Sequence, residues 1–348
     1  MSYTTINKSS DYFNTKLYTG NGVSGTGITG VGFKPDWLWT KERSSTSSHT
    51  STDVVRGANV SMNQNSTGAQ GTETQSIISF DTDGFTVGSG GGVNQSSQTY
   101  VGWNWLAGGS QGSSNTDGTI NTTYTSANTT SGFSICQYTG TGANATVGHG
   151  LGVAPKMIIV KRLNTTGGWT VYHSSVGNTK YLYLNTTAAE DTASSIWNNT
   201  SPTSSVFTVG TDGEVNASGS TYIAYCFAEK QGFSKFGSYV GNGGNNNEAP
   251  FIYTGTRPSF FLVKKSSADG EDWAIYDNTR NPFNKVDEAL FPSATTVETN
   301  VGNGIDFLAN GIKINDDGGE LNTSGATYIY YAIGQSIVGS NNVPATAR

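Results

Sequence analysis

The 348 residues carry 19 lysines and arginines against 25 aspartates and glutamates, a net charge of −6, and only 13% of them are charged, against a globular norm of about 25%. Binding to nucleic acid or to an anionic membrane needs clustered Lys and Arg, which this scattered basic content does not supply. No apolar run approaches the roughly 20 residues that cross a bilayer, and Met1-Ser2-Tyr3-Thr4-Thr5 lacks the pattern of a signal peptide, so the expectation is a protein made in the cytosol and kept soluble by Ser, Thr, Asn and Gly.

In chain order, Tyr18-Thr19-Gly20 comes 17 residues before Pro35, which opens the aromatic run Asp36-Trp37-Leu38-Trp39-Thr40-Lys41. The phrase returns as Tyr138-Thr139-Gly140 with Pro155–Lys161, and as Tyr239-Val240-Gly241 with Pro258–Lys264. Downstream, an Asn stands six residues before a Tyr that starts another aromatic run: Asn94/Tyr100, Asn216/Tyr222 and Asn322/Tyr328. Four anchors in one order, three times over, read as one module in triplicate.

The runs after each proline, together with Trp169-Thr170-Val171-Tyr172 and Trp273-Ala274-Ile275-Tyr276, have the composition and alternation of strands. In the first module the stretch matching the last two runs lies near His49 to Val55, without the tryptophan. Asp83-Gly84 and Asn310-Gly311 sit before apolar alternation as hairpin signals. Helix signals are nearly absent, with one short turn expected within Asn284–Leu290.

Many short strands between Gly, Asn and Ser turns predict an all-β protein of three tandem β-sandwich modules, jelly-roll or lectin-like, each burying its own core. The boundaries read as residues 1–108, 109–231 and 232–337. Residues 109–131 serve either as a linker or, around Thr119–Tyr124, as an added edge strand. Residues 338–348, with Asn341, Asn342, Pro344 and Arg348, form an extended assembly arm suited to lying on a neighbour.

Residues able to do chemistry are few. His49, His149 and His173 occupy non-equivalent positions and read as loop or surface residues; no G-x-S-x-G turn offers a nucleophile. Glycoside hydrolysis needs two carboxylates across one bond, and the available pairs, Asp81 with Asp83 and Asp316 with Asp317, both lie in Gly-containing turns that favour Asp for backbone reasons. Asp81-Thr82-Asp83-Gly84 resembles the opening of a calcium loop but lacks its distal Glu. No metal, cofactor or catalytic residue is therefore expected, and Cys136 and Cys226 read as buried free thiols. Most of the seven tryptophans belong to predicted strands and to the core. Trp197, in Ile196-Trp197-Asn198-Asn199, is the ring expected to be exposed on a loop, and with Asn198 and Asn199 it forms the candidate carbohydrate-binding set.

The stretches Thr146–Lys156, Ser218–Phe227, Phe236–Gly243 and Val338–Thr346 resemble a repeated module in virion structural proteins of marine cyanophages and related bacteriophages. The likeness covers most of the chain and is weakest in the first module. It implies a structural, tail-fibre-like or appendage protein of a phage particle; with no heptad pattern or shaft repeat in the sequence, the expectation is a non-enzymatic head or tail decoration on the particle exterior, made in the host cytoplasm, forming a homo-oligomer and partnering other virion proteins. The alternative it leaves open is a tail-fibre-type adhesin for a host receptor or surface glycan, with a polysaccharide-degrading glycosidase behind it.

Overall fold

The computed structural model describes residues 4–336; the arm residues Asn341, Asn342, Pro344 and Arg348 lie outside the described residues. The protein is all-β, built from antiparallel sheets layered as sandwiches. Strand pairing stays within three consecutive stretches of chain. The first stretch forms a six-stranded sheet in the order Phe13–Thr19, Thr99–Trp105, Trp37–Glu42, Thr50–Asp53, Val60–Asn63, Gly71–Thr72, and a small sheet of Thr26–Thr29, Gly84–Val87 and Ile77–Asp81. The second places Phe133–Thr139, Thr221–Phe227, Met157–Arg162, Trp169–His173 and Lys180–Tyr183 in the same order, with Ala145–Gly148 and Val206–Val209 opposite. The third repeats it with Ser234–Val240, Thr327–Ser336, Thr256–Lys265 and Ala274–Asp277, covered by a four-stranded sheet that starts with Phe251–Tyr253.

Each large sheet is buried on both faces, and this departs from the expected string of self-contained modules. Side chains along a strand alternate between faces. One set in each stretch packs under its own small sheet: Leu38 with Phe85 and Val87 in the first, Ile158 and Val160 with Phe207 in the second, Phe261 and Val263 with Ile312 in the third. The intervening set, Trp37 and Trp39, Met157 and Ile159, Phe260 and Leu262, enters one cluster common to all three stretches. Aromatic contacts close this cluster into a ring. Trp37 lies 4.5 Å from Tyr225, Phe227 lies 5.2 Å from Tyr331, and Phe260 lies 5.7 Å from Trp105. The three sandwiches are arranged around a shared axis rather than in a row.

Polar contacts follow the same rotation. Asp53 accepts from the Tyr225 hydroxyl at 2.7 Å, His173 Nε2 donates to the Tyr330 carbonyl at 3.1 Å, and Asp277 accepts from Trp103 Nε1 at 3.0 Å. Asp53 and Asp277 each also hold a buried arginine three residues on, Arg56 and Arg280, at 2.5 Å. The lysines that end the repeated phrase are buried too. Lys161 reaches the Thr67 and Gly167 carbonyls and Lys264 the Thr187 and Glu271 carbonyls, so each ties its own loop to the preceding module. Lys41 donates to the carbonyl of Glu42, while Arg43 beside it forms an ion pair with Glu298 of the third module at 2.6 Å. Burial lowers the three lysine pKa values to about 8.

Three local expectations change. Asn284–Leu290 holds the strand Val286–Ala289 in place of a helical turn. The linker question resolves as an edge strand, but at Tyr124–Asn128 rather than Thr119–Tyr124. Both predicted hairpins form, yet their two-residue turns are Thr82-Asp83 and Ala309-Asn310, with the glycine already in the second strand. A Cβ on Gly84 would stand 1.9 Å from the Ile28 carbonyl oxygen, and one on Gly311 2.3 Å from that of Ile252. Close approach of the neighbouring strand requires glycine at both, and at Gly84 the backbone φ of 149° requires it as well.

Candidate functional site

The repeated anchors hold the scaffold. In each module the two tyrosines stack, Tyr18 on Tyr100, Tyr138 on Tyr222 and Tyr239 on Tyr328, with centroids 5.0, 5.2 and 5.0 Å apart. The second tyrosine donates to a carbonyl nine residues earlier, Gly91, Gly213 or Gly319. Asn94, Asn216 and Asn322 each accept the amide of the residue after the anchor glycine and give their own amide to nearby carbonyls. The glycines are required because a Cβ on Gly20, Gly140 or Gly241 would meet a carbonyl oxygen at 2.2–2.4 Å.

The residues singled out for chemistry are committed to the fold. His49 and His149 lie in loops and His173 ends the strand Trp169–His173; all three are buried, so the surface alternative fails for each. His49 Nδ1 accepts from Trp39 Nε1, and His149 and His173 each pair one ring nitrogen with a backbone carbonyl and the other with an amide. Burial pushes all three below the usual imidazole value, His173 to about 4. Asp83 accepts the amides of Gly30 and Gly32, which hold its carboxyl below the ordinary range, while Asp81 accepts from Ser79 and Thr86. Asp316 accepts the Gly318 amide. Cys136 and Cys226 are free and buried, and burial pushes the Cys226 thiol up. Among the described residues no group of three or more His, Cys, Asp or Glu could hold a metal, and no helix is long and apolar enough to cross a membrane.

The predicted sugar-binding set divides. Trp197 is 2% exposed and packs edge-on against Tyr172, 5.9 Å away, so it belongs to the local core. Its one-turn helix ends in Asn198 and Asn199, both left-handed at φ 48° and 49°. This turn keeps the asparagines outside while the ring folds inward. Asn198 lines a shallow groove of about 280 Å3 with Asn144, Thr146, Thr200 and Thr208.

Two other surface features can meet a ligand. A recess of about 320 Å3 on the first module is walled by Gly68, Gly71 and Gly90–Gly92 and carries Asn63, Ser66 and the carboxylate of Glu73. The glycines leave part of its wall without side chains, and its amide, hydroxyl and carboxylate groups suit an uncharged hydroxylated ligand. On the third module Phe251 and Tyr253 project from an edge strand, 47% and 60% exposed, while Ile252 between them points inward. The Phe251 ring lies over Gly311, where a Cβ would stand 2.5 Å from it. Two open rings two residues apart share one face of the edge strand, and exposed rings of this kind are what sugars stack on. The sequence carried this signal in Pro250-Phe251-Ile252-Tyr253, an alternation of short reach that a search limited to tryptophan passes over.

A family model described as a domain of unknown function, DUF7483, matches residues 8–336. No curated protein and no solved structure matches the chain.

Proposed function

The chain thus belongs to the DUF7483 family, and we propose that it is a non-enzymatic structural protein carried on the exterior of a bacteriophage particle, as a decoration of head or tail. The observation that carries this reading is the ring of three sandwiches closed around one aromatic core. Six of its seven tryptophans enter that core and Trp197 enters the local core of the second module, its three histidines are buried as well, and only 13% of the chain is charged. Such a body resists local opening, as a part exposed to the medium must. The phage-module resemblance of Ser218–Phe227 and Phe236–Gly243 supplies the setting. Gold-labelled antibody viewed on purified particles is expected to decorate the capsid or tail; label confined to the soluble lysate would refute the reading.

Phe251, Tyr253 and the first-module recess favour a second reading, an adhesin for a host glycan. Purified protein would then block adsorption and give a glycan-array signal that Phe251→Ala with Tyr253→Ala removes. A glycosidase stands behind both, since Asp81 is engaged by Thr86 within its hairpin and Asp83 by the amides of Gly30 and Gly32. Release of reducing sugar lost on Asp81→Asn would reinstate it.

A further inference from the structure

We propose that the seam between the third and first modules binds a small oxyanion, a carboxylate or sulfate group on a ligand about the size of one sugar unit, with the Arg257 guanidinium as its counter-charge. A recess of about 220 Å3 opens there, with Ser9, Ser10 and Thr15 from the first module facing Arg257, Asn278 and Thr279 from the third. None of the residues that line it is acidic. The nearest acids along the chain are already paired, Asp11 with Lys8 at 3.0 Å and Asp277 with Arg280.

Arg257 differs from the other arginines of the described chain. Arg43, Arg56 and Arg280 pair with carboxylates, and Arg162 donates to the Ser220 hydroxyl. The Arg257 guanidinium meets no acceptor among the described residues; its Nε, like that of Arg162, is shut off from solvent without a partner, but Arg162 still reaches Ser220 through another nitrogen. A buried, unpaired donor of a charged group is costly, and a planar guanidinium fits two oxygens of a carboxylate or sulfate at once. Hydroxyls of Ser9, Ser10 and Thr15 add neutral donors that do not repel an anion.

The repeat gives an internal control. Arg257 stands before Pro258, where the other copies have Lys34 before Pro35 and Ala154 before Pro155. After the proline, Ser259 replaces Asp36 and Lys156. In the first module the chain fills the matching place itself: Asp36 Oδ2 accepts the amides of Ala107 and Gly109 at 2.7 Å, and Gln111 donates to the Val55 carbonyl. A cation, an open recess and the absence of a carboxylate coincide at the third seam. The proposal stands independently of the role on a phage particle.

Isothermal titration of the full chain with glucuronate, glucose 6-sulfate, inorganic sulfate and neutral glucose tests it. Saturable binding of at least one anion, with none of glucose, is expected, and Arg257→Gln should weaken it about tenfold or more, the loss of one charge-assisted contact. Ser10→Asp, which supplies a competing carboxylate and leaves the arginine in place, should do the same if Arg257→Gln folds poorly. Tighter binding of the sugar acids than of sulfate would assign the recess to an acidic saccharide; equal binding would assign it to the free anion. No saturable anion binding, or equal affinity in wild type and both variants, overturns the proposal.

Discussion

His173 makes the stability of the seam between the second and third modules dependent on acid. Its ring is buried, with Nε2 donating to the Tyr330 carbonyl and Nδ1 accepting the Ser175 amide. Burial lowers its pKa from 6.5 to about 4. The folded value lies below the unfolded one, so between them the unfolded chain binds the proton that the folded chain refuses, and stability falls as pH falls. From pH 7 to pH 5 the cost is about 2 kcal/mol, or about 2–3 °C in Tm for a chain of this length. His173→Asn removes the titration and can keep the turn, since Asp53 and Asp277 at the matching positions accept the amides of Val55 and Thr279 in the same way. Calorimetry of both proteins at pH 7 and pH 5 should show the variant losing about 2 kcal/mol less on acidification. His49 titrates in both and cancels. An equal loss in the two proteins would refute the reasoning.

Lys161 gives the opposite window. Its pKa falls from 10.5 to about 8, so stability rises as pH climbs from 8 to 10.5, and urea midpoints should show a smaller rise in Lys161→Met than in wild type. Trp37→Ala, which removes a ring from the common core, should cost about 3–5 kcal/mol and lower one shared calorimetric transition; a first-module transition melting apart from the rest would contradict the shared core. Phe251→Ala with Tyr253→Ala should leave Tm within about 1 °C of wild type, since both rings are open to solvent, as a thermal scan checks.

Much of the scaffold was legible because it is local. Tyr18-Thr19-Gly20, Pro35–Lys41 and Asn94/Tyr100 act within one module, so their spacing survives intact in each copy. The shared core was not legible for a physical reason. The sequence Trp37-Leu38-Trp39 says that both faces of a strand are apolar, but it does not say what covers the second face, and the partner of Trp37, Tyr225, is far along the chain. The histidines misled because polarity suggested exposure, whereas His149 and His173 find backbone partners and His49 accepts from Trp39 Nε1, which makes burial tolerable. Trp197 misled in the other direction: the loop context of Asn198 and Asn199 was real, but the one-turn helix before them turns the ring into the core. The Arg257 recess needs two modules to meet and has no sequence signal beyond the departure of Arg257 and Ser259 from their repeats.

The rotation of contacts from Asp53 to Tyr225, His173 to Tyr330 and Asp277 to Trp103 is what a cyclic trimer of separate subunits would build. Three identical subunits would have to repeat every substitution three times, so an arginine at one junction would stand at all of them. Joining the copies in one polypeptide removes that obligation. Each junction can then be altered alone, with the other two keeping the ring shut, and a protein with threefold architecture can present three unlike faces.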